Sequence, residues 1–352
     1  MTVPPDQQPD TPPDAVDLAV LASWMDDRGL PPGSIEGIKN LGGGTQNILM
    51  RFRRGGVDYV LRRGPRHLRP RTNDVLRREA RVLTALDGTG VPAPRVIAAC
   101  EDENVMGGAV FYLMTPVDGF NATTYLPELH AGDAAIRHRM GIEAVIALAK
   151  LGAVDHEAVG LAGYGSPEGF LERQVPRWMS ELEGYGKLDG YPGPEIPGLE
   201  RVAAWLEDNR PAEWKPGVMH GDYHLANLMF SPTGPEVAAI VDWEMSTIGD
   251  PLLDLGWLLA TWPVGDAVSI AGPLGAAGGL ATRDELIAAY AERSTRALDA
   301  VDWYEVLACF KLGIVLEGTH ARACAGKAPK DTGDLLHAMT LGLFDRAHTI
   351  TG

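Results

Sequence analysis

Val218 to Leu259 reads VMHGDYHLANLMFSPTGPEVAAIVDWEMSTIGDPLLDLGWLL, and its character changes along its length. Leu228-Met229-Phe230 and Val237 to Val241 are short apolar runs. The residues between them, Ser231-Pro232-Thr233-Gly234-Pro235, have turn chemistry, so the two runs predict a β-hairpin. In that hairpin Asn227, entering the first strand, lies across from Asp242, leaving the second, and Asp222 stands on the loop just before. An amide oxygen and a carboxylate suit Mg²⁺, a hard cation that takes few protein ligands and leaves room for phosphate oxygens. Asp222, offset from that pair, is placed to accept a proton from an attacking hydroxyl. Positioning and charge neutralisation are what phosphoryl transfer requires, and a base with two oxygen ligands supplies them.

Upstream, Ala15 to Met25 has helical apolar spacing and stops at Gly29. Ile48 to Arg53 and Tyr59 to Arg62 read as a hairpin around Arg54-Gly55-Gly56, with the loop Gly42-Gly43-Gly44-Thr45-Gln46-Asn47 directly before it. Thr72-Asn73-Asp74 offers a cap for a helix whose stripe is Val75, Val82, Leu83 and Leu86. Strands follow at Arg95 to Ala99 and Val110 to Met114. Later segments, including Ile142 to Leu151, Leu199 to Glu207 and Trp303 to Arg322, read as helices. The pattern predicts an α+β chain, with a disordered tail over 1–13, a β-rich lobe over 14–115 and a mainly helical lobe over 116–352.

Composition narrows the class. The chain has 352 residues, 45% hydrophobic and 22% charged, long enough for two cores. Its net charge of −16 argues against a nucleic-acid partner. Three widely spaced cysteines, Cys100, Cys309 and Cys324, fit neither a disulfide framework nor a zinc site and suggest reduced thiols. With no signal-like start and no apolar run long enough to span a bilayer, the expectation is a cytoplasmic protein without a membrane partner.

The string His220-Gly221-Asp222-Tyr223-His224-Leu225-Ala226-Asn227, then Ile240-Val241-Asp242-Trp243-Glu244, Gly249-Asp250-Pro251 and Asp254-Leu255, resembles the aminoglycoside phosphotransferase family. That superfamily includes choline-kinase-like enzymes and is related to protein kinases. The resemblance runs from about Ile38 to the C-terminal helices and implies a protein kinase-like two-lobed fold using ATP and Mg²⁺. It makes Asp222 the catalytic base, Asn227 and Asp242 the metal ligands, His220 a brace for the catalytic loop and Asp254 its anchor. Gly43, Gly44, Thr45 and Asn47 resemble the loop that covers the β- and γ-phosphates. Glu79 matches the helix glutamate that pairs with a strand lysine, and that lysine position carries Arg62 here, a planar fork in place of a point charge. Adenine is expected against Leu113 to Val117, with Leu113 and Thr115 offering backbone hydrogen bonds.

The acceptor is a small molecule bearing a hydroxyl. Aminoglycosides are polycations, yet acidic and basic residues are nearly balanced over 264–352, so a hydroxylated neutral or anionic metabolite is an equal expectation. A hydroxyacyl thioester is one such acceptor, suggested by similarity to kinase domains fused to acyl-CoA dehydrogenases. Arg62 also leaves open a degenerate, nucleotide-binding regulatory module. A protein kinase requires an Ala-Pro-Glu-like segment after Asp242, and the sequence has none. Trp243, Trp257 and Trp262 read as core packing, and His224 as a loop hydrogen-bonder.

Overall fold

A computed structural model of the chain describes residues 12–41, 47–263 and 271–352. The chain divides into two compact units. One extends to Gly119 and includes Ala238–Glu244; the other comprises Phe120–Val237 and Met245–Gly352.

The first unit contains α1 (Leu18–Asp27), β1 (Glu36–Asn40), β2 (Ile48–Arg54), β3 (Val57–Arg63), α2 (Thr72–Leu86), β4 (Val96–Cys100) and β5 (Phe111–Met114). Its strands form one antiparallel sheet in the order β1-β2-β3-β5-β4. Gly55 and Gly56, with φ of 57° and 78°, join β2 to β3 in a two-residue turn whose twist matches that of the strands. Along β2, Met50 and Phe52 point inward and Arg51 and Arg53 outward. Leu21, Trp24 and Met25 of α1 close the core against Met50, Phe52, Leu61, Phe111 and Leu113. Asp17 caps α1 by accepting from the amides of Ala19 and Val20 at 2.9 and 3.1 Å, so the helix starts later than its apolar pattern.

The expected side-chain cap of α2 is absent. Arg71 takes the N-cap position at φ 72° without a side-chain bond. Asn73 instead ties the helix to the approach to β5, donating to the Gly108 carbonyl at 2.9 Å and accepting from the Val110 amide at 3.1 Å. In the returning segment, the Ile240 amide donates to the Pro92 carbonyl at 2.8 Å and the Trp243 indole to the Ile240 carbonyl at 2.9 Å.

The second unit holds β6 (Phe120–Asn121), α3 (Glu128–Gly132), α4 (Ala134–Gly152), α5 (Gln174–Tyr185), α6 (Leu199–Asp208), β7 (Gly217–Met219) and β8 (Leu228–Phe230). After β9 (Val237–Ile240) come β10 (Thr247–Gly249), α7 (Leu252–Thr261), α8 (Gly272–Ala277), α9 (Arg283–Ala291), α10 (Val301–Cys324) and α11 (Lys330–Thr351). β6 pairs antiparallel with β8, and the Ser231 amide donates to the Glu236 carbonyl at 2.9 Å, closing the turn expected after β8. β7 pairs antiparallel with β10. α10 is the organising helix, packed against α5, α6, α7 and α11. Among the described residues no helix is long and apolar enough to cross a membrane. Cys100, Cys309 and Cys324 are free thiols.

Candidate active site

After β7 the chain turns at Gly221, whose φ is 84° and where a Cβ would stand 2.4 Å from the Met245 carbonyl oxygen. Only glycine meets both conditions. Asp254, in the first turn of α7, fixes this turn by accepting from the amides of His220 and Gly221 at 2.6 and 2.8 Å. Burial pushes the Asp254 carboxyl up to about 7, and the two amide bonds oppose that shift. His220 is fully buried, and its Nδ1 accepts from the Asp222 amide at 3.3 Å. Its role in the structure is to shape the backbone on which Asp222 stands.

The Asp222 carboxylate is gripped on both oxygens. Trp257 of α7 donates its indole N–H to Oδ1 at 3.1 Å. Asn227 donates from Nδ2 to Oδ2 at 3.0 Å and to the Asp222 carbonyl at 2.9 Å, and His224 Nε2 stands 3.3 Å from Oδ2. Burial alone would raise the Asp222 pKa, but His224, His220 and Lys311 outweigh it and hold the carboxyl down at about 2. Lys311 of α10 reaches the same turn, donating to the Gly221 carbonyl at 3.3 Å. Its ammonium lies over the Trp257 ring at 4.3 Å and the Trp178 ring at 5.6 Å. Burial lowers the Lys311 pKa, while Asp254 and Asp222 pull the other way.

In the first unit, Arg62 on β3 meets Glu79 on α2 through a two-bond fork, Nε to Oε2 at 2.8 Å and Nη2 to Oε1 at 2.5 Å. The same Nη2 donates to Asp242 Oδ1 at 3.0 Å. Tyr112 adds a 3.5 Å bond to Glu79. Burial disfavours a charged guanidinium, yet Glu79, Tyr112 and Asp242 outweigh it and the Arg62 pKa is raised. Burial pushes Glu79 up to about 7, against the pull of Arg62. Asp242 has φ of 65°, a left-handed conformation that a non-glycine residue adopts at some cost and that is concentrated at functional sites.

The structure thus joins Arg62, Glu79 and Asp242 in one unit and His220, Asp222 and Asn227 in the other. Gly43, Gly44 and Thr45 lie outside the described residues, and Asn47 immediately precedes β2. Leu113 is buried in the centre of the sheet, opposite Leu61 on one side and Ala98 on the other. Thr115 differs from expectation. Its amide already donates to the Arg95 carbonyl at 2.9 Å and its hydroxyl accepts from the Arg95 amide at 3.1 Å, so it has no N–H for a base. Trp257 also differs, being a partner of Asp222 rather than only core packing. Lys311 carried no site role in the sequence, because a lone lysine in a helical segment gives no local signal.

A paired cation and acid on a sheet unit, and an ionised aspartate on a helical unit, belong to phosphotransferases of kinase-like fold that act on small molecules. The chain is a member of the phosphotransferase enzyme family, whose model matches residues 37–293. A protein of Ralstonia eutropha JMP134 classed with the aminoglycoside phosphotransferases is 30% identical, with a TM-score of 0.77 over 95% of this chain and 98% of that one. A ternary complex of a thermostable aminoglycoside phosphotransferase APH(4)-Ia variant with ADP and hygromycin B shares the fold at 14% identity and a TM-score of 0.55, covering 90% of this chain and 97% of that one. Acyl-CoA dehydrogenase family member 11 of Gallus gallus is 30% identical over 326 residues, 90% of this chain and 40% of that protein. The chain therefore spans well under half the length of the curated relatives it matches.

Proposed function

We propose that this enzyme transfers the γ-phosphate of ATP to a hydroxyl of a small molecule, with Asp222 as base. The observation that carries the reading is the Asp222 carboxylate, ionised and oriented by Trp257, Asn227 and His224. Asp222 aligns the acceptor hydroxyl and takes its proton late, as the new P–O bond forms, since a carboxylate held near 2 is a weak base toward a free alcohol. Arg62, braced by Glu79, neutralises phosphate charge. With the Thr115 amide engaged and Pro116 lacking one, the base-binding N–H passes to Val117.

By donor chemistry Asn227 and Asp242 each suit Mg²⁺: the partners of the Asn227 amide hydrogens leave its Oδ1 toward a cation, and Asp242 offers a partly exposed carboxylate. Bound there, Mg²⁺ would screen the phosphate charge. Calorimetry with ATP tests the nucleotide reading: Asp242→Ala is expected to lose Mg²⁺-dependent binding and Asp222→Asn to keep it. Binding indifferent to Asp242→Ala would refute the assignment.

An anionic acceptor is favoured over a polycationic amino sugar. Lys311 stands beside the Asp222 turn, and Arg177 lies over Trp178 at 5.1 Å. Such cations attract an anion and repel an aminoglycoside. A hydroxyacyl thioester is one acceptor of this class, supported by the similarity to the acyl-CoA dehydrogenase relatives.

A further inference from the structure

Away from the Asp222 turn, the facing ends of α10 and α11 collect donors that phosphoryl transfer does not use. Glu317, His320 and Cys324 follow one another at i, i+3 and i+7 on α10, one face of a helix, and His337 comes from α11. Each of Glu317, His320 and His337 offers a ligand atom within 4.8 Å of those of the other two. Glu317 is fully buried. Its Oε2 meets His337 Nδ1 at 2.7 Å and its Oε1 accepts from the Tyr191 hydroxyl at 2.7 Å. The His320 and His337 rings stack at 4.5 Å, and Cys324 Sγ lies 3.6 Å from His320 Nε2. Cys324 is thus a neighbour of His320 that stands outside the three-residue group. His320 Nδ1 is buried without a hydrogen-bond partner among the described residues and stands 3.9 Å from Asp334 Oδ1. A metal-bound histidine hydrogen-bonds its second nitrogen, and closing the gap to Asp334 would supply that bond. At Gly333 a Cβ would fall 2.4 Å from the Ala323 Cβ, so glycine brings the two helices together beside the cluster.

We propose that Glu317, His320 and His337 bind a transition metal of the zinc class that staples the α10–α11 hairpin, with Cys324 moving in from beside His320 as the fourth ligand. Two imidazoles, a carboxylate and a thiolate are a borderline-soft set that suits Zn²⁺ and Co²⁺ rather than Mg²⁺. The ion takes the place of the hydrogen shared by His337 Nδ1 and Glu317 Oε2, and the Cys324 thiol gives up its proton, so binding releases protons and weakens as pH falls. Tyr191 remains on Glu317 Oε1 and orients the carboxylate.

The test is titration of the metal-stripped full chain with Co²⁺, read by visible absorption, and with Zn²⁺, read by calorimetry and thermal melting. One equivalent, tetrahedral cobalt bands, a sulfur-to-cobalt charge-transfer band lost in Cys324→Ser, and a raised Tm are expected. His337→Gln retains a hydrogen-bonding group toward Glu317 but is a poor ligand. It should fold, and should weaken binding by more than the roughly 10- to 100-fold typical of outer-shell changes. Asp242→Asn should leave binding intact. The proposal is overturned if no ion binds, if His337→Gln binds as the native chain does, or if Asp242→Asn rather than His337→Gln abolishes binding.

Discussion

Asp222 and Arg62 are fixed in opposite ways. Asp222 is held charged by donors on the same unit, with its folded pKa near 2, below the ordinary carboxylate value of about 3.9. A depressed acid pKa contributes stability that is present above the ordinary value and lost as pH falls through the folded one. The acid limb of kcat/KM should therefore not reflect Asp222 near pH 4. His224→Ala removes one of its donors and is predicted to shift an acid limb upward; an unchanged profile would show that His224 does not tune the carboxylate. Arg62 is held by the fork to Glu79 and the bond to Asp242. Lysine cannot form the fork, so Arg62→Lys should forfeit at least one charge-assisted bond, about 1.5–3 kcal/mol, or about ten- to a hundredfold in kcat/KM. Near-native turnover would reduce Arg62 to a point charge.

At the scale of elements, the sequence announces structure wherever the cause is local. Gly55-Gly56 between alternating runs dictates the β2–β3 turn, and an apolar stripe ending at Leu86 dictates α2, its buried face starting at Leu76 rather than Val75. β1, β6, β7 and β10 are brief strands whose pairing depends on partners elsewhere, as when β7 meets β10, and short runs carry little periodicity. The α2 start was obscured because Asn73 bonds to Gly108 and Val110 instead of its own helix. Helix packing is equally non-local. Gly256 lets α7 approach α10, since a Cβ there would lie 2.3 Å from the Tyr304 carbonyl oxygen. Gly256→Ala is predicted to destabilise by about 1–3 kcal/mol through overpacking, measured by urea unfolding. No loss would mean that α7 and α10 separate freely.

Across the whole molecule, the family was legible because His220 to Asp254 compresses a turn, its anchor and the motif's Asn227 and Asp242 into one span. The residues that complete the Asp222 environment were not. Trp257 reaches Asp222 across 35 positions and Lys311 reaches Gly221 across 90, distances only the folded chain spans. The same folding joins Asp242 to Arg62, 180 positions apart, by returning Ala238–Glu244 to the first unit. Phosphoryl transfer to an anionic hydroxyl acceptor with Asp222 as base predicts acceptor-dependent ATP consumption with Mg²⁺. The acceptors are aminoglycosides, neutral hydroxylated metabolites and hydroxyacyl-CoA thioesters, with Asp222→Asn run alongside. Turnover stimulated by the anionic acceptors and lost in Asp222→Asn is the predicted result; stimulation by aminoglycosides alone, or full turnover by Asp222→Asn, would contradict it.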